Sequence, residues 1–315
     1  MTQLLRDESR QLHVVGALHI DEVATVSGNF VPAASNPVSW RRFAGGVAAN
    51  AARAAHDVLG MSNAACLTYL HAAIGEDIQG QALVTRMEER GLLMQAHRVM
   101  AEHTGRYSVV VDNTGEMIVG LSDMSLAERL EAEQVMPVLD GVENGILLLD
   151  ANLSSACIGS LIHSARSNSM TVAALSVSPA KALRILPFAN SVDLLFCNRR
   201  EAESMLAHAV VSPTVEHVST QKTEQLSQAL ARIGFNNHVL TDAANPVHLC
   251  VEQNRQTIEI PPVRITKNVN GAGDTLAGAS IGATMLGKPL AEAITDHGIP
   301  MAIEVLSGKR LPLAL

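Results

Sequence analysis

The sequence predicts a three-layer α/β fold built on a doubly wound, mostly parallel sheet, with a small second sheet attached to it. Short apolar segments of strand length alternate with helical segments, most regularly after Gly145, and this alternation is typical of parallel sheets covered by helices. The composition is 47% hydrophobic but only 3% aromatic, which suits small-residue helices packed on a buried sheet. The turn at 112–115, Asp-Asn-Thr-Gly, joins two alternating segments, and this predicts a β-hairpin and hence the second sheet.

In the N-terminal half, glycines and prolines separate the predicted elements. Small residues over 45–60 predict a closely packed helix that ends at Gly60. An amphipathic helix ends at Arg90, and an alternating segment begins at His19 and continues to Val31. The other predicted strands are 12–18, 38–43, 64–73, 99–100, 106–112 and 116–121.

In the C-terminal half, strands and helices alternate regularly. The predicted strands are 146–149, 170–177, 192–197, 237–241, 247–251 and 256–260. The predicted helices are 154–167, 179–186, 198–207, 223–233, 276–285 and 290–306. Ligands of such sheets bind beyond the carboxyl ends of the strands. Asp150, Asn198 and the turn at Gly271 are expected at those ends.

Composition and charge exclude several classes of protein. A net charge of −8 without a basic cluster argues against a nucleic-acid partner. The four cysteines are far apart and form no Cys-x-x-Cys pair, which predicts neither a zinc site nor a disulfide framework. The first ten residues are polar rather than signal-like, and no apolar run has the length of a membrane span. We therefore expect a soluble, cytoplasmic protein without a membrane partner.

A glycine-rich turn precedes the predicted helix 276–285. In the stretch Asn270-Gly271-Ala272-Gly273-Asp274, the glycines let backbone N–H groups converge at the positive end of the helix dipole, which favours an anion. Asp274 stands in the first helical turn. Two interpretations are open from the residues alone: a carboxylate that stabilises the helix start, or a base beside a bound phosphate.

A second glycine pair, Gly45-Gly46, opens the helix of small residues and permits close approach of the backbone to a ligand. Asn50 is the polar exception one turn into that helix. A hydrogen bond from its side chain to the helix start and a bond to a ligand are both compatible with this position.

Five stretches, in this order, resemble motifs of the ribokinase-like (PfkB) family of sugar and nucleoside kinases. They are residues 16–21 ending in Asp21, Gly45-Gly46-Val47-Ala48-Ala49-Asn50-Ala51, Gly75-Glu76-Asp77-Ile78-Gln79-Gly80, Asn198-Arg199-Arg200-Glu201 and Asn270-Gly271-Ala272-Gly273-Asp274. The resemblance covers nearly the whole chain, 1–315, as a single kinase domain. Within the family, residues 107–124, 198–203 and 268–274 are most similar to pseudouridine kinases.

The resemblance implies ATP- and Mg²⁺-dependent phosphorylation of the 5′-hydroxyl of a ribosyl nucleoside, with pseudouridine as the expected substrate. Two alternatives are a kinase for another furanose sugar or nucleoside, and a degenerate kinase fold that binds a nucleoside without turning it over. The resemblance also implies a lid formed by insertions at about 19–43 and 104–122. In the family such lids often form a homodimer contact.

The resemblance implies a role for each motif residue. The catalytic residues would be Asp274 as general base, with Gly271, Ala272 and Gly273 at the γ-phosphate, and no large pKa shift of Asp274 is required. The substrate-binding residues would be Asp21, Gly45, Gly46, Asn50 and Asp123. The nucleotide would meet Asn198, Glu201, Thr241 and Asn270, with Asn198 and Glu201 orienting Mg²⁺ through water.

For Glu201 and Asp123 a purely structural role is the competing interpretation, and for Asp77, in the third motif, it is the favoured one. Glu201 can pair with a neighbouring arginine. Asp77 fits a helix cap better than a ligand contact, and Asp123 fits an exposed acid of the lid equally well.

The sequence also departs from the family. The loop 242–246 has no glycine where relatives have a glycine-rich loop near the nucleotide. Ser176 stands near the position of the subfamily's Asp, Asn270 replaces the usual Thr, and Asn268 occupies a position where many relatives have Asp. These departures leave the phosphate donor and a monovalent-cation site open.

Overall fold

A large sheet forms the centre of the protein. The computed structural model describes residues 10–62, 66–209, 222–263 and 270–315, so the predicted strand start at Ala64 and the position of Asn268 lie outside the described residues. The strands of the large sheet are β1 (Arg10–Val15), β4 (Cys66–Gly75), β5 (Leu93–Val99), β8 (Ile146–Asp150), β9 (Thr171–Leu175), β10 (Leu194–Asn198), β11 (His238–Asp242), β12 (Asn245–Val251) and β13 (Asn254–Ile258).

The order of the nine strands is β13-β12-β11-β10-β9-β8-β1-β4-β5. Pairing is parallel from β5 to β11, and β12 pairs antiparallel with both β11 and β13. Strands β4 and β5 lie on one side of β1, and strands β8 to β11 lie in succession on its other side. The order therefore reverses between β1 and β8, and ligands of doubly wound sheets bind at such a switch point.

Helices cover both faces of the large sheet. They are α1 (Val47–Gly60), α2 (Ile78–Glu89), α3 (Ala132–Leu139), α4 (Ser155–Ser167), α5 (Pro179–Ala182), α6 (Arg199–Ala209), α7 (Thr223–Arg232), α8 (Ala272–Met285), α9 (Leu290–Ala293) and α10 (Ile299–Leu306). None of the helices in the described ranges is long and apolar enough to cross a membrane.

Helices α1 and α8 pack closely because both consist of small residues. A Cβ atom on Gly278 would lie 2.0 Å from the carbonyl oxygen of Ala51, and one on Gly282 would lie 2.8 Å from that of Ala55. The two backbones are thus in direct contact. Since α1 follows Gly46 and α8 follows Gly271, this contact holds the two glycine turns side by side.

The second sheet confirms the predicted hairpin. It contains β2 (His19–Val26), β3 (Val38–Gly45), β6 (Arg106–Val111), β7 (Met117–Asp123) and β14 (Leu313–Ala314), in the order β14-β3-β2-β6-β7. The hairpin β6–β7 is closed at Asp112, whose carboxylate accepts hydrogen bonds from the backbone N–H groups of Thr114 and Glu116. β14 was not predicted, since two residues carry no detectable strand pattern.

Several predicted bounds were wrong. β2 ends at Val26 rather than at Val31, because residues 27–37 form a loop. β5 begins at Leu93, six residues before the predicted strand. The predicted helix 290–306 is interrupted by a π-helical turn, Ile294–Gly298. There Gly298 packs closely against α8, where a Cβ would collide with the Ser280 hydroxyl.

Candidate active site

A buried carboxylate links the elements at the switch point. Asp150, the last residue of β8, is fully buried. Its Oδ2 accepts hydrogen bonds from the backbone N–H groups of Ala17 (2.9 Å) and Ala48 (3.0 Å), and its Oδ1 accepts one from Asn152 (2.8 Å). Ala48 lies in the first turn of α1, where a negative charge is favoured by the helix dipole. Asp150 thereby fixes the start of α1 against the ends of β1 and β8.

The turn before α8 has the geometry that its glycines predicted. Gly271 has φ 82° and ψ −1°, a left-handed conformation that favours glycine, and it is the N-cap of α8. A Cβ at Gly271 would lie 3.0 Å from the Asn50 amide nitrogen. That nitrogen donates a hydrogen bond to Oδ2 of Asp274 (3.1 Å). Asn50, Gly271 and Asp274 therefore form one cluster at the adjoining ends of α1 and α8.

The pKa of Asp274 is raised to about 7. Burial of the carboxyl is the main cause, and the nearby negative charges of Asp150, Glu201 and Asp21 raise the pKa further. The hydrogen bond from Asn50 lowers it. A base at this position needs only to be aligned and ionised, so no large pKa shift was expected; the three acids that contribute to the shift are far from Asp274 along the chain. Asp274 therefore titrates close to neutral pH.

Asp21 extends the cluster to the second sheet. Its Oδ1 lies 3.0 Å from Nε2 of His19, and its carboxylate occupies the space beside Gly45, where a Cβ would lie 2.3 Å from Oδ2. Gly46 has φ 114° and faces the carbonyl of Ala17, so a side chain there would collide with backbone. The glycine pair thus lets the backbone of Ala17 and the carboxylate of Asp21 come close, while its predicted contact with a ligand stays a prediction.

Asn198 and Glu201 cap α6 reciprocally. The Asn198 side-chain and backbone N–H groups donate to Glu201 (2.7 and 2.9 Å), and the Glu201 backbone N–H donates to Asn198 Oδ1 (3.1 Å). The Ser176 hydroxyl also donates to the buried Glu201 carboxylate. Arg199 pairs with Glu203 and Asp242 instead. Thr241 lies beside Asn198 on the neighbouring strand β11.

The loop after β11 is a tight hairpin without glycine. Ala243 takes the left-handed conformation (φ 50°). The Asp242 carboxylate accepts hydrogen bonds from the Thr223 hydroxyl (3.0 Å) and the Asn245 amide (3.1 Å), and Arg199 lies 3.5 Å away. Side-chain bonds to one carboxylate therefore close the turn where the family has a glycine-rich loop.

The remaining predicted residues lie at the margin of the site or outside it. Asp123 is exposed at the end of β7 and accepts a 3.4 Å hydrogen bond from Ser125, with none to Asp274 or Asn50. Asn270 is exposed next to Gly271. Asp77 is the N-cap of α2, as predicted, and accepts hydrogen bonds from the N–H groups of Gly80 (2.7 Å) and Thr104 (2.8 Å).

Two surface cavities are lined by residues other than the predicted site residues. One of about 390 Å³ is lined by Glu259, Pro261, Thr295, Ile299, Pro300, Ile303, Glu304, Ser307 and Lys309. The other, of about 510 Å³, is lined by Ile78, Gln81, Ala82, Thr85, Arg86, Glu89 and Leu315. The polar cluster around Asp274 is instead formed by the helix starts and strand ends themselves.

Sequence reasoning missed the role of Asp150, although it placed that residue at a strand end. An acid that directly follows the apolar run 146–149 is the signal, because an acid at the end of a buried strand needs several donors. Ser176 was noted only as a departure from the family. Its bond to Glu201 depends on the pairing of β9 with β10, which the sequence does not specify.

The arrangement combines an anion-accepting turn with a carboxyl group that titrates near neutrality. The positive end of α8 stabilises negative charge at Gly271 to Gly273, and Asp274 can accept a proton from a hydroxyl beside it. In the described ranges, no three His, Cys, Asp or Glu side chains form a group suited to hold a metal ion. An anion-accepting turn and a proton acceptor beside it are two features that phosphoryl transfer can use, since that reaction needs mainly positioning and charge neutralisation.

The family model for pfkB family carbohydrate kinases matches residues 9–296, and the chain belongs to this family. It is therefore a sugar or nucleoside kinase, a phosphotransferase that acts on a hydroxyl group. A curated relative, the pseudouridine kinase of Escherichia coli (strain K12), is 25% identical over 286 residues, which are 89% of this chain and 86% of the relative.

Solved structures show the same fold. A carbohydrate kinase from Agrobacterium tumefaciens superposes with a TM-score of 0.78 at 24% identity, over 97% of this chain and 99% of that one. The ribokinase of Thermotoga maritima gives 0.77 at 23% identity, over 96% and 94%. A protein of E. coli provisionally described as Ribokinase II, solved with ATP and Mg²⁺, gives 0.75 at 14% identity, over 96% and 94%.

The cluster predicts opposite pKa shifts for two substitutions. Asn50→Leu removes a hydrogen bond to the ionised form of Asp274, so the pKa of Asp274 should rise above about 7. Asp150→Asn removes a nearby negative charge, so that pKa should fall. A ¹³C NMR titration of the Asp274 carboxyl measures both. The exposed acid Asp140 provides the control as Asp140→Asn, and shifts of one sign in both variants would contradict the assignment.

Proposed function

We propose that the protein transfers the γ-phosphate of ATP to the 5′-hydroxyl of pseudouridine. The observation that carries this proposal is the cluster of Asn50, Gly271 and Asp274, in which a carboxylate lies directly beside a helix start suited to a phosphate. The choice of pseudouridine is supported by the E. coli pseudouridine kinase, which matches most of the chain at 25% identity.

Asp274 acts as the general base in this proposal. A pKa of about 7 makes the carboxylate a better proton acceptor than an ordinary aspartate, while it stays substantially ionised at neutral pH. Gly271, Ala272 and Gly273 present backbone N–H groups to the transferring phosphoryl group, where negative charge has to be stabilised. The substrate hydroxyl is placed between these two groups.

Asp21, Gly45, Gly46 and Asn50 hold the ribose. Carboxylate and amide groups can hydrogen-bond to vicinal hydroxyls, and the bare glycine backbone lets the sugar come close. His19 lies 3.0 Å from the Asp21 carboxylate and orients it. Asp123, at the exposed margin of the second sheet, is assigned to the nucleobase.

The nucleotide is bound by four residues, Asn198, Glu201, Thr241 and Asn270. Glu201 receives three hydrogen bonds from Asn198 and Ser176. A carboxylate has about four acceptor sites, so roughly one remains for water. This fits Mg²⁺ held through its hydration shell rather than by direct ligands, as Mg²⁺ prefers beside substrate phosphates. The ion would neutralise charge on the phosphates of ATP. A homologous fold solved with ATP and Mg²⁺ supports this assignment.

The second sheet acts as a lid. It carries Asp21 on β2, and the register pairs this residue with Phe43 and Tyr107 on the neighbouring strands. Directly paired residues face the same side of a sheet, so the sheet presents Asp21 together with two aromatic rings. Such a surface above the ribose would exclude water from the reaction.

The opposite face of the second sheet is proposed as a homodimer contact. Trp40, Val119 and Leu121 are 51%, 41% and 60% exposed. Trp40 pairs with Ala24, Leu121 with Ser108 and Val119 with Val110. Each of these partners is an odd number of residues from Asp21 on β2 or from its partner Tyr107 on β6, so the three apolar side chains lie on the face opposite Asp21. Exposed apolar side chains on one sheet face favour association with a second copy.

A different function is favoured by one observation. The tight hairpin at Ala243 replaces the glycine-rich loop of relatives, which suits a degenerate kinase that binds a nucleoside without turnover. The intact cluster of Asn50, Gly271 and Asp274 opposes this alternative.

The substrate proposal is tested by ADP release with ATP and Mg²⁺ against pseudouridine, uridine, adenosine, inosine, ribose and fructose 6-phosphate. We expect selective turnover of pseudouridine. Preference for another acceptor would show that the substrate is a different sugar or nucleoside, phosphorylated by the same family of kinases. No turnover, with a nucleoside still raising the melting temperature, would support the binding-only alternative. A reaction without any acceptor measures hydrolysis of ATP by water and so tests the lid. ADP release as fast as in the presence of acceptors would contradict the exclusion of water.

The base is tested by Asp274→Asn, which keeps the shape of the side chain but cannot accept the proton. We expect kcat to fall by about 10²–10⁴-fold, while nucleoside binding measured by calorimetry is retained. Asp140→Asn, an exposed acid at the end of α3, is the matched control and should keep full activity. Near-normal turnover in Asp274→Asn would remove the residue from the proposed role.

The dimer contact is tested by Leu121→Glu in sedimentation velocity experiments. Placing a charge in an apolar contact is costly because the charge loses its hydration. We expect wild-type dimers and monomers of the variant at the same micromolar concentration. Wild-type protein that sediments as a monomer would contradict the proposal.

A further inference from the structure

Arg53 is a buried guanidinium without a partner in the described part of the chain. It lies on α1, one turn after Asn50, and is only 7% exposed. Its Nε is buried and makes no hydrogen bond. Burial and the nearby arginines lower its pKa to about 10, which still leaves it charged at neutral pH.

Among the described residues, arginines outnumber acids around Arg53. Arg310, after α10, forms an ion pair with the Asp57 carboxylate, and Arg90, which follows α2, lies 3.7 Å from the same carboxylate. Asp57 is on α1, four residues after Arg53. Three arginines from three elements therefore share one acid, and that acid is already engaged by two of them.

An unpaired buried charge is among the most unfavourable features that a folded protein can contain. Long cationic side chains usually extend to solvent when no partner is present. Arg53 instead stays 7% exposed with its Nε buried, near Arg90 and Arg310, which are 47% and 17% exposed at their side chains. The cluster has the charge and the donors of an anion site, with Arg53 at its floor.

We propose that Arg53, Arg90 and Arg310 form a binding site for a small phosphate-type anion, separate from the cluster around Asp274. Guanidinium groups bind phosphate oxygens through paired N–H donors, and a dianion would balance the excess charge left by Asp57. The ligand class is inorganic phosphate or the phosphate group of a small phosphorylated molecule. Its site lies where α1 meets the ends of α2 and α10, outside the positions assigned to nucleoside and nucleotide.

The position of Arg53 gives this site a mechanical connection to the rest of the protein. α1 also carries Asn50, three residues earlier, on a neighbouring part of the same helix surface. Arg310 precedes β14, whose residue Leu313 pairs with Ala44 of the second sheet. An anion held by both arginines therefore bridges α1 to the segment that borders β3.

The test is the melting temperature of the full-length protein with inorganic phosphate, compared with chloride at equal ionic strength. We expect phosphate to stabilise the wild type. Arg53→Met keeps the volume of the buried chain but removes the charge. It should melt higher than the wild type without phosphate, because an unpaired buried charge is lost, and it should lose the phosphate response. Phosphate at the Gly271 turn would stabilise both proteins equally, so the difference isolates Arg53.

Two further variants keep the proposal falsifiable if Arg53→Met does not fold. Arg90→Gln changes a half-exposed side chain and should weaken phosphate binding by about tenfold in calorimetry, since a charged donor is lost. Arg232→Met changes an exposed arginine on α7 and should leave that binding unchanged. Equal phosphate responses in the wild type and Arg53→Met, or no response in the wild type beyond that to chloride, would overturn the proposal.

Discussion

The geometry of the candidate site depends on the hydrogen bonds of Asp150. This carboxylate lies at the switch point of the sheet and holds the N–H groups that follow β1 and begin α1. A Cβ on Gly16 would lie 2.3 Å from its Cγ, so β1 ends against the carboxyl itself. With the start of α1 fixed, Asn50 has a defined position one turn later, and its amide in turn holds Asp274. The Asp274 carboxyl is thus positioned by a series of contacts that begins at a buried acid.

The same buried acid also affects the chemistry. Burial raises the pKa of Asp150, although the hydrogen bonds that this carboxylate accepts act to lower it. The negative charges of Asp150, Glu201 and Asp21 in turn raise the pKa of Asp274. Several carboxylates close together disfavour one another's ionisation. A general base benefits from a pKa near the working pH. The acids that order the site therefore also tune it, and Asn50 limits the shift by stabilising the ionised form.

Much of this arrangement could be predicted from the sequence, and the failures have physical causes. The strand and helix alternation, the β-hairpin at Asp112 and the glycine turn at Gly271 are local patterns, and each of them is present in the structure. The bounds of β2 and β5 and the two-residue β14 depend on pairing between distant segments, which a local pattern does not encode. The raised pKa of Asp274 depends on three acids from separate strands and helices, so no motif spacing could show it.

Helix α1 connects these levels of the structure. Its N-terminus is held by Asp150, and its small residues let α8 approach until Gly278 contacts the backbone of Ala51. Asn50 joins the two helices near their N-terminal ends by its hydrogen bond to Asp274. A helix held so closely cannot shift along α8 without collision of backbone atoms. The relative position of the two glycine turns is therefore set by packing as well as by hydrogen bonds. Since a 1 Å misplacement can cost about 100-fold in rate, this close contact of small residues would, in the proposed mechanism, matter for phosphoryl transfer as well as for stability.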